Sequence, residues 1–123
     1  MSKIHEVTPT AARALILNGA LLVDVREPNE VARKSFDVPD MLQIPLYELE
    51  KRFREIPQNR EVIIACHSGN RSMMALHLLE RHGFRKAVNL QYGITGWSRE
   101  GLPIKKMEKV NPLSGLLQMF HKN

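Results

Sequence analysis

Cys66-His67-Ser68-Gly69-Asn70-Arg71-Ser72 is the stretch whose residue types and spacing could do chemistry. Cys66 is the only cysteine in the chain. It follows an apolar run, Val62-Ile63-Ile64-Ala65, that shows no alternation and reads as a strand buried on both faces. A helix-like segment follows Ser72, so the loop lies between a strand end and a helix start. Open α/β sheets hold their ligands in that crevice. Gly69 can take a positive φ, and the first turn of the helix has unpaired N–H groups. Backbone donors converging on sulfur beside Arg71 favour negative charge there and a nucleophilic thiolate. A lone cysteine is often only a small buried apolar residue, but Ser68, Gly69 and Asn70 are turn formers that could not complete apolar packing around it. The reactive reading is therefore preferred.

The loop has to be positioned by the elements around it. Thr8-Pro9 reads as an N-cap and first helical residue, with Ala11, Ala14 and Leu15 as the inner stripe and Gly19 beyond the helix end. Leu21 to Val25 reads as a buried strand, and Glu27-Pro28-Asn29-Glu30 opens a short helix through Ala32. Asp24 sits among apolar neighbours, where an unpaired carboxylate would be costly. It should accept hydrogen bonds from backbone or from an arginine, so Asp24, with Arg26, is read as support for the site. A short strand near Leu42 to Ile44 lies between Pro39 and Pro45. Leu46 to Ile56 reads as one charged helix with Leu49 and Phe53 as its inner pair. Ala75, Leu78, Leu79 and His82 share one side of the helix after the loop, and Gly83 ends it. Ala87 to Leu90 is the last strand expected, and Trp97 in the following turn and helix reads as core. Strands alternating with helices predict an α/β domain with a central parallel β-sheet flanked by helices on both faces.

The active stretch resembles the loop of the rhodanese family: a cysteine, a short Ser/Gly-rich turn with an arginine, then Ser or Thr opening a helix. Leu22-Val23-Asp24-Val25-Arg26-Glu27 looks like the family's early strand signature, Ile44-Pro45-Leu46 its middle one and Gly93-Ile94-Thr95-Gly96-Trp97 its closing one. The matches fall in family order between about Thr8 and Pro103. Phe36-Asp37-Val38-Pro39-Asp40 departs from the family's Gly-His-Ile-Pro-Gly, so no histidine role is carried over. The resemblance implies a rhodanese-like fold and sulfur transfer, in which Cys66 takes sulfane sulfur from a small anionic donor such as thiosulfate. It then hands the sulfur to cyanide, a thiol or a protein acceptor. Amides of His67 to Ser72 would hold the persulfide anion. Arg71 is a donor toward an oxyanion or a loop brace pairing with Asp24 or Glu27, and the first reading is preferred. His67 and Ser68 project from the mouth, as substrate contacts or simply as exposed loop residues. A cysteine phosphatase is the rival enzyme. Its loop is one residue longer between cysteine and arginine, and the shorter ring here suits a single sulfur. A non-catalytic regulatory module is the rival from another class, and such modules usually lack the cysteine.

Composition sets the outer limits. The chain has 123 residues, 43% hydrophobic and 25% charged, which suits one domain with a single core. A single cysteine excludes an internal disulfide and a cysteine-rich metal site. His77 and His82 lack partners at ligand spacing, so neither metal nor other cofactor is expected. No signal-like or membrane-spanning apolar run is visible, which makes the cytoplasm the expected location. Of the formal charge of +5, +3 lies in residues 103–123. The domain is thus mildly basic and carries no nucleic-acid motif. Residues 1–103 are read as the catalytic domain and 104–123 as a basic linker and a short amphipathic helix. In that helix Asn111-Pro112 would cap Leu113, Leu116, Leu117 and Phe120. So short a helix must pack on something: this domain, a second copy in a homodimer, or else a membrane surface or partner.

Overall fold

The computed structural model describes residues 5–107. Five strands form a parallel sheet in the order β1-β6-β5-β2-β4: β1 Glu6–Val7, β2 Leu21–Asp24, β4 Met41–Gln43, β5 Val62–Ala65 and β6 Ala87–Leu90. Every neighbouring pair is parallel. Leu21↔Val62 to Asp24↔Ala65 set the register of β2 on β5, and Val62↔Ala87 to Ile64↔Asn89 that of β5 on β6. All residues of β2 and β5 are buried, as their unalternating apolar runs require.

Alternate residues feed two cores. Leu21, Val23, Val62, Ile64 and Cys66 face one side, where they pack with Ala75, Leu76 and Leu79 of α4 (Asn70–Arg81) and with Leu49 of α3 (Leu49–Arg52). Leu22, Ile63 and Ala65 face the other, against Ala12 and Ile16 of α1 (Pro9–Leu17) and Ile94 and Trp97 of α5 (Gly93–Arg99). Helices therefore cover both faces, as the sequence predicts. Burying each large aliphatic or aromatic side chain contributes on the order of 1.5–3 kcal/mol.

Three local expectations are corrected and one element is added. Thr8 caps α1 through its Oγ1, which accepts from Ala11 N–H at 3.2 Å. The inner stripe, however, is Pro9, Ala12 and Ile16; Ala11 and Ala14 are exposed and Leu15 only half-buried. The helix is rotated by one residue because Pro9 at its start docks inward. Leu46 to Ile56 is not one helix: 3₁₀ turns at Leu46–Glu48 and Phe53–Glu55 flank the single turn of α3. Their tighter ends let Leu46, Leu49 and Phe53 all reach the core between Pro45 and Pro57. Ile104–Lys106, read as linker, is strand β7. It pairs antiparallel with β3 (Lys34–Phe36), which follows α2 (Pro28–Arg33) without a break. Paired structure thus continues past Pro103 as far as Lys106. Pro103 carbonyl accepts from Trp97 Nε1–H at 2.8 Å and Asp37 N–H at 3.0 Å, and Phe36 meets Trp97 edge to face at 5.3 Å. Finally β1, at the sheet edge beside β6, has no counterpart in the sequence reading. The amphipathic helix expected over 111–120 lies outside the described residues.

Candidate active site

The strand order places a switch point between β5 and β2: from β2 the chain moves outward to β4, and from β5 the other way to β6. Cys66 leaves the carboxyl end of β5 at this point, on the α4 face of the sheet, with 1% exposure. Gly69 N–H donates to Cys66 Sγ at 3.0 Å. Gly69 can aim that amide because it holds φ +114°, a conformation costly for any other residue. Cys66 Sγ also lies 3.3 Å from Ser72 Oγ, which in turn donates to Gly69 carbonyl at 3.0 Å. The first-turn amides of Asn70, Arg71 and Ser72 precede the first helical bond, from Met73 N–H to Gly69 carbonyl. His67, Ser68 and Asn70 are exposed at the mouth, while Gly69 and Ser72 are buried.

The underside of the loop is gripped by α5. Ile94 N–H donates to Cys66 carbonyl at 2.9 Å and Thr95 N–H to His67 carbonyl at 3.1 Å. This is possible only because Gly93 lacks a side chain: a Cβ there would stand 2.4 Å from Cys66 carbonyl oxygen and 2.6 Å from that of His67. Sequence reasoning missed this contact, although the glycine of the closing motif is the visible signal of a close backbone approach.

Asp24 and Arg26 form a buried pair beside the site, 0% and 2% exposed. Asp24 Oδ1 accepts from Arg26 Nε at 3.0 Å and from its backbone N–H at 3.1 Å, and Oδ2 from Nη2 at 2.7 Å. Arg26 Nη2 also donates to Lys34 carbonyl at 2.9 Å, tying β2 to β3. Arg71 does pair with a carboxylate, but with neither Asp24 nor Glu27. Its Nη1 and Nη2 donate to Glu30 Oε2 and Oε1 at 2.6 and 2.8 Å. Glu30 Oε2 accepts from Glu27 N–H at 2.9 Å as well, so one carboxylate caps α2 and clamps the start of α4. The Arg71 guanidinium holds the Glu30 carboxyl down at about 2, and Glu30 raises Arg71 above its usual value. In the sequence Glu30 reads only as part of a helix start. Its place three residues after Glu27 was the available signal.

His77 and His82 each face a single carboxylate, Glu80 at 3.4 Å and Glu50 at 3.2 Å. Among the described residues no group of three or more His, Cys, Asp or Glu could hold a metal ion. None of their helices is long and apolar enough to cross a membrane.

A parallel sheet with helices on both faces, and a buried cysteine at the carboxyl end of the strand beside its switch point, define the class of fold. The chain belongs to the rhodanese-like domain family, whose model matches residues 8–100. It is 45% identical over 84 residues to a sulfurtransferase of Allochromatium vinosum, covering 68% of this chain and 77% of that protein. It is 30% identical over 97 residues to the thiosulfate sulfurtransferase GlpE of Pseudomonas syringae, covering 79% and 90%. The crystal structure of a rhodanese-related protein from Thermoplasma volcanium superposes with a TM-score of 0.75 at 26% identity, covering 82% and 97%.

Proposed function

We propose that this protein is a sulfurtransferase that carries sulfane sulfur as a persulfide on Cys66. The observation that carries the reading is the Gly69 N–H donating to Cys66 Sγ at 3.0 Å beside the open first turn of α4. In the first half-reaction the Cys66 thiolate attacks the outer sulfur of a donor such as thiosulfate. A new S–S bond forms, the donor's S–S bond breaks, and sulfite leaves with the electron pair. The terminal sulfur is now an anion, and the amides of Gly69 to Ser72 stabilise it without reorganising. In the second half-reaction an acceptor, cyanide or a thiolate, attacks that outer sulfur, and the electron pair returns to Cys66. The Ser72 hydroxyl, now turned to Gly69 carbonyl, can rotate to donate to the thiolate. Arg71 is a positioning residue: clamped by Glu30, it braces the start of α4 and keeps positive charge near the sulfur. His67, Ser68 and Asn70 meet substrate at the mouth.

Phosphatase chemistry finds less support. Asp24 is fully buried and bound to Arg26, and Glu30 is held by Arg71, so neither is free to protonate a leaving group.

Intact-mass measurement after treatment with thiosulfate tests the proposal. One sulfur should be added to the native chain, removed by cyanide, and absent from Cys66→Ser. Equal addition to the serine variant would refute the role of Cys66.

A further inference from the structure

Two concavities beside Cys66 are left unassigned by the chemistry at sulfur. One, of about 270 Å³, is lined by Val25, Glu27, Leu46, Tyr47 and Arg71. The other, of about 310 Å³, is lined by Arg26, Glu30, Arg33, Lys34, His67 and Ile94. The Glu30–Arg71 pair is the wall between them, because Arg71 faces the first and Glu30 the second. Both lie within reach of the loop: Ile94 N–H holds Cys66 carbonyl, and Val25 N–H holds the carbonyl of Ala65 just before it.

The two lobes differ in chemistry. Val25, Leu46 and Tyr47 make the first largely apolar, and Tyr47 is 69% exposed, a large aromatic that no element among the described residues covers. The second is cationic. Arg26 is neutralised by Asp24 and Glu30 by Arg71, whereas among the described residues the side chains of Arg33 and Lys34 have no ion-pair partner. Cys66 itself is only 1% exposed. A thiol on a flat protein surface could not reach it, but a cysteine on an extended segment could.

We propose, resting on the persulfide reading above, that the two lobes receive an extended acidic segment of a protein acceptor. Its cysteine reaches the Cys66 persulfide, an apolar neighbour fills the Tyr47 lobe, and an acidic neighbour lies against Arg33 and Lys34. Charge complementarity selects the acid, since a basic segment would meet Arg33 and Lys34, which pair with no carboxylate among the described residues. The transfer balances without an oxidant: the acceptor thiolate bonds to the outer sulfur, the S–S bond to Cys66 breaks, and its electron pair returns to Cys66.

The test uses the full chain, loaded with thiosulfate, freed of excess donor and checked by intact mass. Transfer is then timed to five acceptors: a capped peptide with cysteine between leucine and two aspartates and its counterpart with two lysines, each in both orders, and the uncharged dithiol dithiothreitol. The acidic peptide should react about tenfold faster than the basic one in at least one order, and the gap should close at high salt. Arg33→Glu with Lys34→Glu should reverse the preference, and Tyr47→Ser should slow both peptides several-fold. Neither change should alter the dithiothreitol rate. Equal rates for the two peptides on the native enzyme would overturn the proposal, as would variants that slow dithiothreitol as much as the acidic peptide. Failure to load sulfur at all would show at the mass step and would remove the persulfide reading and this proposal together.

Discussion

Asp24 and Glu30 do different work although both face an arginine. Asp24 is fully buried with Arg26, so removing it leaves a guanidinium without a counter-charge in the core. Asp24→Ala should therefore destabilise the fold by about 3–5 kcal/mol, read as a lower urea midpoint. Glu30 is partly exposed, and its bond to Arg71 contributes less. Its carboxyl is held at about 2 in the folded protein against 4.5 in the free residue, so between those values the unfolded chain binds the extra proton. The contribution is present above pH 4.5 and lost as pH falls through about 2. Glu30→Gln should remove about 1 kcal/mol of that acid-side slope, after solvent screening of a pair about one-third exposed. Urea midpoints between about pH 6 and pH 3 would show it, and parallel profiles for native and variant would contradict the assignment.

Between elements, the decisive contact is α5 under the active loop. The first amides of α5 hold the carbonyls of Cys66 and His67, and Gly93 permits the approach. Gly93→Ala would drive a Cβ against two backbone carbonyls that no rotamer change can move aside. The expected cost is about 2–4 kcal/mol, combining the strain of φ +55° with overpacking. Sulfur uptake should fall at least about tenfold, because relieving the clash shifts the loop that aims Gly69 N–H at Cys66. A variant that folded with native stability and uptake would show that the loop does not depend on α5.

Across the whole molecule, the chain closes on itself through β7. Leu102 and Ile104 pack on the α1/α5 core, Trp97 binds Pro103, and Met107 N–H reaches Arg33 carbonyl at 2.9 Å. A chain cut after Pro103 should lose about 2 kcal/mol relative to one cut after Met107, a melting difference of about 10 °C. Equal melting temperatures would return the domain boundary to Pro103. The same strand pair follows directly from α2, whose Glu30 braces Arg71, so its loss should also weaken the wall between the two lobes of the mouth.

The sequence by itself determined what local pattern can carry. Unalternating apolar runs specified the buried strands around Val23 and Ile64. Thr8-Pro9 specified a helix start, and a cysteine among turn formers specified the loop and its place at a strand end. Asp24 was legible as a paired carboxylate because burial leaves a charge no other choice. Tertiary structure decided what depends on residues far apart in the chain. Glu30 rather than Asp24 or Glu27 meets Arg71 because α2 and α4 start side by side across the mouth, and Asp24 is already held by Arg26. Strands β1, β3 and β7 are two or three residues long, too short to show a period, and exist only through partners many residues away. The rotation of α1 and the grip of α5 on the loop likewise follow from packing two helices on one sheet face, a constraint that no window of sequence contains.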